Sequence, residues 1–233
     1  MSLNKLNSWK RHALAAALLC ATTVPALAAI TGYTTRSGFD AATAGLTTQT
    51  TDFESVAAGT SFATGTGPAG SGFTLSAVTG AGTPTVADLF WTTSGTHYLG
   101  LDNSDTQFFS GDEVTFSFAQ PVRAFGLYVI GGSDLQAGDI QLSAGGTDVL
   151  SSGSAEQTDG FGSYAYFLGL ATDGASPSFA SATLKGLAPG GTDFFLFAVD
   201  DVTLANPVPE PSTVALLSLG LLGLAASSRR RGR

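Results

Sequence analysis

The sequence is poor in the residues on which many enzymes and metal sites depend. Its 233 residues include one cysteine, Cys20, and two histidines, and only 12% are Asp, Glu, Lys or Arg. A single cysteine excludes an intrachain disulfide and a zinc site built on cysteines. A catalytic zinc usually takes several histidines, so none is expected. With 43% hydrophobic residues, however, the chain has the material for a folded core, which excludes disorder driven by charge.

Basic residues are scarce in the long middle part of the chain. Residues 29–207 contain seventeen acidic residues but only three basic ones, Arg36, Arg123 and Lys185, which gives this part a net charge of −14. Such a surface repels the phosphate backbone, so nucleic acid is excluded as a partner. Cations and neutral molecules such as glycans are still compatible with this charge as partners. A simpler interpretation is that the charge serves solubility alone.

The first 28 residues have the three-part pattern of a secretory signal peptide. Basic residues near the start precede an apolar run at 13–19, and the small-residue box Ala26-Leu27-Ala28 follows. We therefore predict a signal peptide over 1–28, with cleavage between Ala28 and Ala29. The apolar run is too short for a membrane anchor, which needs about 20 residues.

The last residues have a second three-part pattern. Pro209, Glu210 and Pro211 precede an uncharged stretch at 213–227, and four arginines lie within the final five residues. As a helix, the uncharged stretch spans about 22 Å, which is shorter than the roughly 30 Å of a bilayer core. The arginines would stay on the cytoplasmic side. A plain membrane anchor with a proline-rich stalk is one interpretation.

The three elements in this order also resemble the PEP-CTERM protein-sorting signal. The resemblance implies that residues 206–233 are the signal, with Pro209, Glu210 and Pro211 as its motif. It further implies that exosortase, a membrane protease-transpeptidase, recognises the motif and removes the tail, so that a helix at 213–227 holds the chain in the membrane only transiently. Proteins with this signal are exported by bacteria that make exopolysaccharide or biofilm matrix, so the expected location is the cell surface or the extracellular matrix.

The middle part of the chain has the period of β-strands. Val114, Phe116 and Phe118 alternate with polar residues, and about nine further short runs follow the same rule between Gly, Pro, Asp and Ser turns. This pattern predicts an all-β domain over 29–205, a β-sandwich or jelly roll of about ten strands. One short helix is expected over Ser37–Ala44, with Ser37 as its N-cap and Phe39 closing one end of the sandwich.

Four acidic residues are the candidate site. Asp52 and Glu54 lie at the end of the first predicted strand, whereas Asp200 and Asp201 lie in the last, and in a jelly roll these strands are often neighbours. Strict alternation places Asp200 on one strand face with Leu196, Ala198, Val202 and Leu204, among core positions, where a carboxylate needs a partner. Two roles stay open: a structural Ca²⁺ site, because calcium prefers oxygen ligands, or an Asp200 that accepts hydrogen bonds from a loop.

The ends of this middle part resemble calcium-bearing jelly-roll carbohydrate-binding modules. The resemblance rests on Phe53-Glu54 and on the run Asp200-Asp201-Val202-Thr203-Leu204. It implies a structural calcium with Glu54 and Asp200 as ligands and with Asp52 and Asp201 as weaker candidates. In those modules sugar binds elsewhere.

Three functions are compatible with these features. The first is a non-enzymatic, exported surface or matrix protein that binds polysaccharide. The second is a polysaccharide hydrolase that uses paired carboxylates, for which Asp52 and Glu54 on one strand face are the candidates. The third is a purely structural matrix protein. We expect the first, with no catalytic residue, and we expect His97 to be a packing residue or the partner of an acid.

Overall fold

The computed structural model describes residues 29–77, 82–173, 178–187 and 194–207. The predicted signal helix and the predicted membrane helix at 213–227 lie outside these ranges. Within them the protein is all-β, with 4% helix, and the one helix there, seven residues long, is far too short to span a membrane. The fourteen strands are β1 (Ile30–Tyr33), β2 (Leu46–Thr51), β3 (Phe73–Ala77), β4 (Pro84–Ala87), β5 (Tyr98–Leu101), β6 (Phe108–Phe109), β7 (Glu113–Val122), β8 (Ala124–Gly131), β9 (Ile140–Ala144), β10 (Thr147–Leu150), β11 (Gln157–Thr158), β12 (Tyr164–Thr172), β13 (Phe179–Gly186) and β14 (Leu196–Pro207).

The strands form two antiparallel sheets. The larger sheet has nine strands in the order β1-β12-β8-β14-β5-β4, with β11 beside β12 and with β2 and β6 beside β14. The smaller sheet has the order β10-β9-β13-β7-β3. The predicted β-sandwich is therefore confirmed. Three strands that were not predicted, β1, β6 and β11, have four residues or fewer, so their alternation is too short to recognise.

The core between the sheets is rich in phenylalanine. In β7 the residues Val114, Phe116 and Phe118 point inward, as the alternation predicts. Phe116 and Phe118 each lie with their ring centroids 5.1 Å from that of Phe125 in the opposite sheet. Such tilted aromatic pairs add stability beyond the area they bury. Strand β8 is buried at all eight positions, so the outer face of the larger sheet must also be covered.

Helix α1 (Arg36–Ala42) covers part of that outer face. It begins one residue earlier than predicted, because the N-cap is Thr35, whose side chain accepts the N–H of Gly38, and not Ser37. Phe39 is fully buried on the sheet face, with its ring centroid 5.2 Å from that of Phe167. The prediction that Phe39 closes an end of the sandwich is therefore wrong.

Two glycines make room for the Phe39 ring. Gly126 of β8 and Gly169 of β12 are directly paired across the sheet. A Cβ atom at Gly169 would lie 2.6 Å from the Phe39 ring, and one at Gly126 would lie 3.2 Å from it. A side chain at Gly169 would collide with the Phe39 ring and one at Gly126 would press tightly against it, so the glycine pair lets the helix pack closely on the sheet.

Candidate functional site

The first and last long strands bring the four predicted acids to one region. Strand β2 pairs with β14, with Thr51 opposite Val202. Asp52 and Glu54 therefore leave the sheet beside Asp200 and Asp201, as expected from the jelly-roll comparison. Burial raises the pKa of Asp201, and the nearby charge of Asp52 adds to that increase. A loop at residues 92–97, which the sequence did not predict as part of the site, lies over these acids.

A β-bulge decides which way Asp200 points. Asp200 lies opposite Tyr128 and Thr203 opposite Gly126, so Asp201 and Val202 together face the single residue Leu127. Asp201 has a φ of 50°, a left-handed conformation that aspartate tolerates better than most residues. The extra residue shifts the alternation by one position.

The bulge corrects the face predicted for Asp200. Before it, Phe197 and Val199 face the inner core, and after it Val202 and Leu204 do so. Asp200 consequently lies on the outer face with Ala198. The alternation predicted one strand face that holds Leu196, Ala198, Asp200, Val202 and Leu204. That face does not exist, because the bulge interrupts the alternation.

The carboxylate of Asp200 is fully buried and receives several donors from the loop. The Thr93 N–H donates to Oδ2 at 2.9 Å and the Ser94 N–H donates to it at 3.2 Å. The hydroxyls of Thr93 and Ser94 lie 2.8 Å and 3.0 Å from the same oxygen, while the N–H of Asp201 donates to Oδ1 at 2.8 Å. Asp200 thus ties the loop to the sheet, which is the hydrogen-bonding role left open by the sequence.

One hydroxyl lies between two carboxylates. Thr93 Oγ1 is 2.8 Å from Asp200 Oδ2 and also 2.8 Å from Asp201 Oδ2. The hydroxyl has a single proton and can donate to one of them at a time. Asp200 and Asp201 therefore compete for this donor.

The buried acids resist ionisation. Burial, followed by the charge of Asp201, raises the pKa of Asp200 to about 6. Burial also raises the pKa of Asp201, against which the Thr93 hydroxyl and then the positive charge of Arg36 act. Arg36 Nε donates to Asp40 at 2.8 Å and Nη1 to Thr203 Oγ1 at 3.3 Å, so its charge is fixed near the bulge.

Glu54 ties down the other end of the loop. Its Oε1 accepts the N–H of Thr96 at 2.7 Å and the N–H of His97 at 2.6 Å. These bonds, that of His97 above all, hold the pKa of Glu54 below its usual value. A Cβ at Gly95 would lie 2.5 Å from the Glu54 carboxyl carbon. A side chain at this position would push the carboxylate aside, so the glycine lets the loop pass close to it.

The positions of Asp52 and Glu54 can be compared with the predicted pair of carboxylates on one strand face. Strand β2 ends at Thr51, and Phe53 has a φ of 60°, so Asp52 and Glu54 lie in a turn. The expectation that they share one strand face is therefore wrong. Asp52 Oδ1 accepts the N–H of Glu54 at 3.2 Å. His97 Nδ1 lies 3.8 Å from Glu54 Oε2, so His97 is the partner of an acid, which is one of its expected roles.

The four acids of the candidate site can also be compared with the ligands of a calcium ion. Calcium takes six to eight oxygens, whereas the oxygens of Asp200 and Glu54 face N–H and hydroxyl donors of the loop. In the part of the chain that the structure describes, no three His, Cys, Asp or Glu side chains form a group that could hold a metal. Calcium at Glu54, Asp200, Asp52 and Asp201 stays a prediction.

The comparison with known proteins concerns the C-terminal end. A family model described as the PEP-CTERM protein-sorting motif matches residues 207–231. The chain carries this sorting motif. It contains the predicted residues Pro209, Glu210 and Pro211, which lie outside the described residues. The motif implies an exported protein that exosortase processes, with a destination at the cell envelope or surface. No curated protein matches the chain.

Sequence reasoning missed a group of exposed aromatic residues. Phe161 is 96% exposed, and Phe90 and Phe194 are also exposed. The sequence analysis made no prediction for any of the three. The glycines on both sides of Phe161 are the signal that could have placed it at the tip of a turn.

Proposed function

We propose that this protein is a non-enzymatic component of the cell surface or extracellular matrix whose β-sandwich binds neutral polysaccharide. Exosortase recognises Pro209-Glu210-Pro211 while a helix at 213–227 holds the chain in the membrane, and it then removes the tail. The signal peptide at 1–28 starts export. The observation that carries this proposal is the match of the sorting motif to residues 207–231.

The position of the motif relative to the fold supports processing. Strand β14 runs to Pro207, which pairs with Leu46 at the start of β2. The last strand of the sandwich therefore ends where the matched motif begins. A cut after this point leaves every described strand intact, so the tail can be removed without unfolding the domain.

The charge and the surface of the sandwich support a neutral ligand. A net charge of −14 over 29–207 repels anionic polymers. Phe90 and Phe161 are both exposed and line the same cleft, and adjoining exposed apolar side chains mark interaction surfaces. Polysaccharide fits both features, because aromatic rings pack against the C–H faces of sugars and no opposite charge is needed.

The carboxylates favour a structural role over catalysis. Glu54 accepts two backbone N–H groups, and these bonds keep its pKa low. A general acid of a glycosidase needs a raised pKa instead. The buried Asp200 has a raised pKa but is covered by the loop that it binds. These observations support the non-enzymatic proposal.

The sorting step is tested by exchanging one carboxylate. Glu210→Ala, produced in a bacterium that has exosortase, is expected to accumulate uncleaved in the membrane fraction. Asp148→Ala removes an exposed carboxylate in β10 and should be processed like the wild type. Equal processing of Glu210→Ala and the wild type would overturn the exosortase proposal.

Incubating the exported protein with polysaccharides, and measuring both binding and release of reducing ends, separates binding, hydrolysis and a purely structural role.

A further inference from the structure

A short turn presents Phe161 to solvent in a fixed position. Asp159 Oδ1 accepts the N–H of Phe161 at 2.7 Å and the N–H of Ser163 at 3.0 Å. Gly160 and Gly162 have φ values of 76° and 116°, which only glycine adopts easily. The turn is thus held by its own hydrogen bonds, and it does not need the Phe161 ring, which is 96% exposed.

A cleft of about 300 Å³ lies beside this ring. Phe90 and Phe161 both line it, and Ile130 and Gly131 of β8 contribute the sheet surface. Phe90 is fixed by Tyr98, with ring centroids 6.1 Å apart. The volume is at the lower end of the range for small-molecule sites, about 300–1,000 Å³. The cleft therefore has room for a small ligand between aromatic side chains.

A buried amide also lines this cleft. Gln107 is only 6% exposed, and it precedes the core residue Phe108, so alternation places it on the outer face with the cleft. No hydrogen bond to its side-chain amide is found among the described residues. Its side-chain amide carries both donors and an acceptor. A ligand that offers both a donor and an acceptor would satisfy it.

The polar lining selects against charged ligands. Asp134 is the one charged residue of the described lining, and the remaining polar contribution comes from neutral groups such as Ser163. Without a lysine or arginine, an anionic sugar meets repulsion and no compensating ion pair. Hydroxyl groups, in contrast, donate to carboxylates and both donate to and accept from amides.

We propose that the cleft between Phe90 and Phe161 binds one neutral sugar unit of a polysaccharide, with hydroxyls bonded to Gln107 and Asp134. The aromatic rings receive the apolar C–H face of the sugar, whose slightly positive hydrogens suit the negative ring face. This site deepens the proposed function and rests on it. It lies apart from the carboxylates that tie down the loop at residues 92–97.

The test measures binding of short neutral oligosaccharides of glucose, galactose, mannose and xylose by calorimetry to the exported protein. Phe161→Ala and Gln107→Ala should each weaken the tightest of these interactions about tenfold, a change of about 1.4 kcal/mol. Phe194→Ala removes another exposed phenylalanine, 67% exposed and outside the cleft lining, and should bind like the wild type. Circular dichroism verifies that each variant is folded.

The outcomes separate the site from the wider function. If the wild type binds a neutral oligosaccharide and Phe161→Ala binds it equally well, the cleft is the wrong site while polysaccharide binding stands. The same conclusion follows if Phe194→Ala loses as much affinity as Phe161→Ala. If the wild type binds an oligogalacturonate more tightly than every neutral sugar, the neutral-ligand proposal fails. If it binds no sugar at all, both the site and the polysaccharide function are overturned, but the sorting motif is unaffected.

Discussion

Helix α1 and the loop at residues 92–97 cover the same outer sheet face by opposite means. The helix places Phe39 into a groove made by two paired glycines, an apolar contact that does not titrate. The loop is bound through backbone and hydroxyl donors to the carboxylates of Asp200 and Glu54. One cover therefore depends on shape and the other on protonation, so the two should respond to different perturbations.

The largest effect should come from emptying the glycine groove. Phe39→Ala is expected to lower the free energy of unfolding by about 3–5 kcal/mol, because a fully buried aromatic ring leaves a cavity. Urea denaturation followed by circular dichroism measures the change. Phe161→Ala, the same substitution at an exposed site, should stay within about 0.5 kcal/mol of the wild type. Equal costs for the two variants would show that the helix cover does not stabilise the sheet.

The groove can also be overfilled. Gly169→Ala should cost about 1–3 kcal/mol, since its methyl group would meet the Phe39 and Phe167 rings at 2.6 Å and 2.9 Å. Gly153→Ala is the control, because its nearest neighbour would be 3.5 Å away. Thermal unfolding of both variants gives the comparison. A Gly169→Ala protein as stable as Gly153→Ala would contradict the close packing of helix on sheet.

The loop cover should depend on pH. The pKa of Asp200 is raised from 3.8 to about 6 in the folded protein, so between these values the folded state binds a proton that the unfolded state does not. Stability should therefore rise as pH falls from 7 to 4, by about 2 kcal/mol from this group. Asp200→Asn should lose that part of the pH dependence, as measured by urea denaturation at several pH values. Identical pH profiles for the two proteins would refute the assignment. Glu54, whose pKa is lowered in the folded protein, has the opposite effect on stability. Its stabilising contribution is lost only as the pH falls below about 4.5.

A smaller effect tests whether calcium supplements these hydrogen bonds. If the four acids bind Ca²⁺, as the sequence pattern predicts, EDTA lowers the melting temperature by several degrees, because a ligand of the native state stabilises it. Asp200→Asn should then respond less to EDTA than the wild type does. A wild-type melting curve that is the same with calcium and with EDTA would reject the calcium prediction and leave hydrogen bonds as the sole role.

The sequence predicted the sandwich and the meeting of its acids, because both depend on period and on strand order. Val114, Phe116 and Phe118 alternate as the core requires, and β2 pairs with β14 as the jelly-roll comparison implies. It could not predict the bulge at Asp201, since a single residue with positive φ leaves no trace in a hydrophobic pattern. The face of Asp200 was therefore predicted wrongly.

The loop at residues 92–97 and the cleft at Phe161 were missed for a different reason. Loop donors such as the N–H groups of Thr93 and His97 belong to the backbone, which every residue possesses, so no residue type announces them. No prediction was made for Phe161, although its neighbours Gly160 and Gly162, which have the positive φ values of a turn, flank it in the sequence. Contacts between distant segments, and not local pattern, decide both features.

Export and processing of the sandwich can be determined by mass spectrometry of the intact exported protein, because this measures both ends of the chain at once. We predict a polypeptide that begins at Ala29 and ends upstream of the apolar stretch at 213–227, without the terminal arginines. A full-length product recovered from the cytosol, with residues 1–28 and Arg229–Arg233 still attached, would contradict the proposal that the sandwich is exported and processed.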